Sequence, residues 1–216
     1  LRAAVLGAND GILSTASIAI GVAAASDVNE PVILAALAGL VAGALSMAAG
    51  EYVSVSSQSD IETADLARER LELDTMPEEE LKELAATFIA RGVEKDTARD
   101  VALQLTAHNA LEAHAREELG IMEITQARPL QAALASGASF TVGGALPFLV
   151  AILVPLEYQV VSQYGFAILF LALLGAVSAR AGGSNALKAV VRITFWGTVA
   201  MGLTALVGWA FNLQVG

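Results

Sequence analysis

Runs of apolar residues about 20 long constrain this chain most, because that is the length of helix needed to cross the hydrocarbon of a bilayer. Five such runs stand out, at about 3–25, 32–52, 130–154, 164–179 and 187–211. Charge is nearly excluded from them. Residues 1–55 hold only Arg2, Asp10, Asp27, Glu30 and Glu51, and residues 129–216 only Glu157, Arg180, Lys188 and Arg192. In hydrocarbon a segment must satisfy its own backbone polar groups, so runs of this kind fold as helices. The expected class is all-α: a polytopic membrane protein with five transmembrane helices and a cytoplasmic three-helix insert. Its organisation reads as 1–55, spans one and two; 56–128, an acidic helical metal-binding domain; and 129–216, spans three to five.

The insert is where the charge went. The net charge of −10 comes almost wholly from it. Its first helix continues from span two through Asp60, Asp65, Glu69 and Glu72, since 53–73 contains no Gly or Pro. Thr75 and Glu78 stand in capping-box spacing around Pro77, marking a break and restart. The second helix runs to about Arg91 and stops at Gly92; the third runs from about Lys95 to Leu119 and stops at Gly120. Leu81, Leu84, Ala85 and Phe88 give the second helix a packing face, and Val101, Leu105 and Leu111 do so for the third.

Composition excludes several classes. Nucleic acid needs a basic surface that this chain lacks. No Cys is present, so thiolate metal sites, disulfides and Cys nucleophiles are out. There is no nucleophile elbow and no phosphate-binding glycine loop, so no enzyme activity and no prosthetic group are expected. The first apolar run is too long for a cleavable signal and carries an acid, and the chain does not begin with Met. Arg2, Arg128, Arg180, Lys188 and Arg192 flank one face of the membrane, whereas the turns at 26–31 and 155–163 hold no Lys or Arg. The positive-inside rule therefore places the N-terminus and residues 56–128 in the cytoplasm.

Several residues could carry chemistry. Glu69 with Glu72, and Glu80 with Glu83, are pairs three apart, which puts each pair on one helix face. Two such faces together would make a cage of carboxylate oxygens for a hard or borderline divalent cation. Solvated acidic faces are the plain alternative, and the two readings weigh about equally. His114 and Glu118 are four apart and could share a metal, although an exposed His near a helix C-terminus is the commoner arrangement. His108 reads as structural. Asp10 lies about 10 Å in from Ala3 at helical rise, and an acid inside a membrane marks function by default, with an interfacial N-cap or a structural partner for a neighbouring Arg as the plainer alternative. Met47 and Glu51, four apart, would add a softer thioether beside a carboxylate. Gly39, Gly43 and Gly50 read as packing positions. Gly143 and Gly144, shortly before Pro147, suggest a locally irregular third span.

These residues resemble those of a known family. Asn9-Asp10-Gly11 in the first span, Ser46-Met47-Ala48-Ala49-Gly50-Glu51-Tyr52 followed by Ser56-Ser57-Gln58-Ser59-Asp60, the two Glu pairs, and Glu117-Glu118-Leu119-Gly120 are similar to the motifs of the vacuolar iron transporter, or CCC1-like, group. The resemblance covers essentially the whole chain. It implies a homodimer with five spans, and proton-coupled export of Fe²⁺, and often Mn²⁺, from the cytosol. By position it makes Asp10, Met47 and Glu51 the transport pathway, and Glu69, Glu72, Glu80, Glu83 and Glu118 ligands in the insert. This chain departs from the family at His114-Ala115, where some members carry a Met pair: either His114 substitutes as a ligand or a ligand is missing.

The expected function is a divalent metal/proton antiporter, with Fe²⁺ or Mn²⁺ as cargo and the lipid bilayer and a second copy as partners. A membrane-anchored metal-binding or sensing protein without flux is the alternative. Compact loops favour a bacterial inner membrane over a vacuolar one.

Overall fold

A computed structural model describes residues 2–121 and 127–215. Those residues form seven helices and no strand: α1 (Arg2–Ala23), α2 (Glu30–Thr75), α3 (Pro77–Ala90), α4 (Lys95–Glu117), α5 (Pro129–Leu153), α6 (Leu156–Ala181) and α7 (Ala186–Val215). Five of them, α1, α2, α5, α6 and α7, are long and apolar enough to cross a membrane. The fourth expected span, 164–179, begins eight residues earlier than hydropathy suggested. Pro155 precedes α6, and Glu157, Gln159 and Gln163 are helical despite their polarity.

The chain divides into two compact units, residues 1–52 with 130–216, and residues 53–129. In the first, α1 is the axis. Ile12, Ala16 and Ile20 pack with Ala167, Leu171 and Met201 of α6 and α7. Ala19, on another face of α1, packs with Val32, Ala36 and Ala151 of α2 and α5. Glycines set how closely α1 and α5 approach. A Cβ at Gly11 would strike the Phe140 backbone and one at Gly143 the Ala8 backbone, so the two main chains touch directly. Gly143 and Gly144 are therefore contact positions, not the cause of an irregular helix: α5 stays helical through Pro147. Gly39 and Gly43 do face neighbours, Ile18 and the Phe140 ring, but Gly50 meets nothing within 4 Å and is no packing position within one chain.

Two glutamines buried among the spans donate mainly to backbone carbonyls. Gln159 Nε2 donates to Val154 O at 2.7 Å, Ala151 O at 2.9 Å and Asn29 Oδ1 at 3.2 Å. Gln163 Nε2 donates to Pro147 O at 2.9 Å. Pro155 has no N–H to offer Ala151 O, and Gln159 supplies the missing donor, while Gln163 bonds a carbonyl inside α5.

In the second unit, Leu84, Ala85, Ala102 and Ala113 form the core, flanked by Leu81, Phe88 and Leu105. Thr75 is not the expected cap. It ends α2 with its hydroxyl donating to Leu71 O, and Met76 precedes α3 with no side-chain cap, because Pro77 needs no N–H partner there. Glu94 does cap α4, accepting from Asp96 N at 3.1 Å and Thr97 N at 3.2 Å. The third insert helix is not one rod. Asn109 is extended (φ −164°, ψ 97°) inside α4, and its Oδ1 accepts from Glu112 N at 3.2 Å, so it caps a second helical piece that begins after it.

Candidate functional site

The second half of α4 carries His114, and its C-cap is Glu118. Glu69 comes from α2 and Glu80 from α3. One ligand atom from each of the four lies within 4.8 Å of all the others. His114 Nδ1 is 2.9 Å from Glu69 Oε1, 3.1 Å from Glu118 Oε1 and 3.7 Å from Glu80 Oε2. His114 is fully buried, and Glu69 and Glu80 are each 5% exposed. His108, by contrast, is exposed and takes no part in the fold's interior.

Glu69 Oε1, Glu118 Oε1 and both ring nitrogens of His114 are buried without a hydrogen-bond partner. Buried polar atoms are ordinarily paired, so four orphans in one spot need a reason. Donor atoms gathered within a few ångströms and left without partners are what a ligand set requires. Two oxygens on opposite sides of a first-row divalent ion at about 2.2 Å would stand roughly 4.4 Å apart, within the spread seen here.

Electrostatics point the same way. Burial pushes the Glu69 carboxyl up from its ordinary 4.5; the imidazole opposes this, and Glu118, Glu72 and Glu83 add to it. Glu80 is likewise raised by burial, then by Glu69 and Glu83. Glu118 is raised by burial, against a lowering from His114. Among the described residues the imidazole is the one basic group within ion-pair distance of these three acids. Two buried carboxylates and a partly buried third with so little compensation repel, and a divalent cation removes that cost. Three oxygens and one imidazole nitrogen form a borderline donor set, suited to Fe²⁺, Mn²⁺ or Zn²⁺ better than to Ca²⁺.

Glu72 and Glu83 stand outside this group. Glu72 is half-buried and Glu83 exposed, and they act on Glu69 and Glu80 as nearby charges. In the other unit, Asp10 and Met47 line one open groove of about 380 Å³ between α1 and α2, with Ser14, Gly43, Ser46 and Phe140 on its walls. Glu51 is half-buried and does not line it. Three residues that matter here were not among the sequence candidates. Asn109 turns the piece of α4 that bears His114, and an Asn three residues before Glu112 was its only signal. Gln159 and Gln163 were passed over, although amides four apart inside an apolar run are a membrane-packing signal.

A family model described as the VIT family matches residues 1–209. The chain belongs to the VIT family. A vacuolar iron transporter of Acanthamoeba castellanii is 49% identical over 96% of this chain and 77% of its own length. Vacuolar iron transporter homolog 1 of Oryza sativa is 36% identical over 94% of this chain and 70% of its own, and homolog 2 of Arabidopsis thaliana 35% identical over 96% and 84%. Membership agrees with the resemblance carried by the Asn9-Asp10-Gly11 and 46–60 motifs, and with a multi-pass membrane protein built on five apolar helices.

Proposed function

We propose that this chain moves Fe²⁺, and also Mn²⁺, out of the cytosol in exchange for protons. The observation that carries the reading is the convergence of Glu69, Glu80, His114 and Glu118, three of them buried, with Glu69, His114 and Glu118 each holding an atom without a hydrogen-bond partner. Relatives named vacuolar iron transporters supply the cargo class. The insert gathers the ion on the cytoplasmic side, where Lys and Arg bias puts the N-terminus as well. Met47 and Glu51 receive it, and Asp10 passes it on; protonating a carboxylate there makes it a poor ligand and releases the metal. Glu72 and Glu83 raise the local concentration of cations around the buried site.

The same reading makes the protein a homodimer. Asp10 lies in an apolar span yet lines a groove that is open on one side. An acid facing lipid is expensive, and the small residues Gly39, Ala42, Gly43 and Ser46 along the groove let a second copy approach closely. The passage then runs between subunits in a bacterial inner membrane or, in a eukaryote, a vacuolar one.

The test is Fe²⁺ and Mn²⁺ flux into proteoliposomes under an imposed pH gradient. Metal uptake that collapses with the gradient is expected. Saturable metal binding without flux would instead establish a membrane-anchored sensor.

A further inference from the structure

The first turns of α7 present a basic and aromatic face. Lys188 and Arg192 are four apart, and Phe195 and Trp196 continue the same side of the helix, their rings edge to face at 5.4 Å. Arg192 and Trp196 line two adjoining hollows. One, of about 330 Å³, runs between α1, α6 and α7 and includes Asn9 and Ser178. The other, of about 480 Å³, lies along α7 and includes Leu187, Lys188 and Val191. Among the described residues no carboxylate comes within ion-pair distance of Lys188 or Arg192. Asn9 lines the first hollow, and its buried Oδ1 accepts no hydrogen bond.

The polar end of this cleft thus asks for two things at once. Arg192 needs an anionic acceptor, and Asn9 needs an O–H or N–H donor. A phosphodiester with a hydroxyl-bearing headgroup provides both, and its acyl chains match the aromatic and aliphatic walls. We propose that the cleft between α1, α6 and the start of α7 binds an anionic phospholipid of this kind, such as phosphatidylglycerol. Basic pockets between spans near the cytoplasmic surface are suited to anionic headgroups, and aromatic rings sit at the interface beside them.

The occupied cleft bears on α1. Asn9 and Asp10 are consecutive on that helix and so point about 100° apart. Asn9 faces the lipid cleft, and Asp10 the groove shared with Met47. A headgroup bonded to Asn9 therefore holds the rotation of the helix that carries Asp10. This last consequence rests on the transport reading; lipid binding itself does not.

Native mass spectrometry of the purified chain, offered phosphatidylglycerol or phosphatidylcholine in mixed micelles, reads the binding. The parent is expected to retain phosphatidylglycerol selectively. Arg192→Gln and Lys188→Gln should each weaken retention roughly fivefold, the worth of one basic side chain near an anionic headgroup. Asn9→Leu should weaken it without changing charge. Equal retention of the two lipids, or undiminished retention in both Arg192→Gln and Asn9→Leu, overturns the proposal. In proteoliposomes, Fe²⁺ flux should rise with phosphatidylglycerol content in the parent and stay flat in Arg192→Gln. Parent vesicles with no flux at any composition would refute the transport reading, while the retention data still decide the cleft.

Discussion

The two compact units handle buried acid in opposite ways. In the insert, Glu69, Glu80 and Glu118 are sunk together around His114, and one chain supplies the whole set. Among the spans, Asp10 stands as a single acid beside Met47 in a groove left open on one side. The first arrangement suits capture, since several donors meet an ion at once. The second suits passage, since a site with few donors from one chain holds an ion weakly enough to let it leave. On the proposed transport reading, selectivity and turnover are separated between two places.

Breaking the passage side gives the largest expected effect. Asp10→Asn should reduce Fe²⁺ flux in proteoliposomes to the level of protein-free vesicles, with metal titration of the same purified variant matching the parent. Parental flux in that variant would sink the division of labour. Breaking the capture side comes next. His114→Ala should weaken metal binding of the full chain by about tenfold to a hundredfold, measured by calorimetry, because it removes the one nitrogen donor and the one basic group among three acids. Unchanged affinity would mean that the convergence in the insert is not a ligand set.

Acidity sharpens the contrast. Glu69, Glu80 and Glu118 titrate above the ordinary 4.5 in the folded protein. Between the unfolded and folded values the fold then holds more protons than the unfolded chain, so metal-free stability falls as pH rises through that window and stays lower above it. Metal competes with the same protons, so its stabilising effect should grow as pH rises from about 5 to 7.5. Glu80→Gln isolates the effect. It should raise metal-free stability at neutral pH by on the order of 1 kcal/mol, flatten the pH dependence and shrink the metal-induced rise in Tm. A metal-free parent that gains stability as pH climbs relative to Glu80→Gln would contradict the burial of these acids. The smallest effect is expected at Asn109. Replacing it with Ala removes an interior cap worth about 1 kcal/mol and should loosen metal binding only a few-fold, and Asn109→Asp should restore most of it.

Much of the fold could be read in advance because hydrocarbon leaves a chain few choices. Five apolar runs became five helices, and Gly92 and Gly120 close the second and third insert helices with positive φ, as a left-handed stop requires. The site was legible only as spacing. Glu69/Glu72 and Glu80/Glu83 looked equivalent within each pair, yet Glu69 and Glu80 turn inward while Glu72 and Glu83 stay outside the convergent group. Spacing of three places two residues on one face, but it does not say which of them meets the neighbouring helix. His114 shows the same limit: its sequence context suited an exposed histidine, and it is fully buried.

The amino-acid sequence alone determined that this protein crosses a membrane as helices, that its acid is gathered in one insert, and that Asp10 sits where an acid is out of place. Each follows from local properties: run length, charge and the absence of water in hydrocarbon. Which carboxylates meet, that an imidazole completes them, and that α1 approaches α5 main chain to main chain were decided by tertiary packing. Those outcomes depend on the angles at which helices cross and on a bend at Asn109. Such angles belong to pairs of helices, and no single segment encodes them.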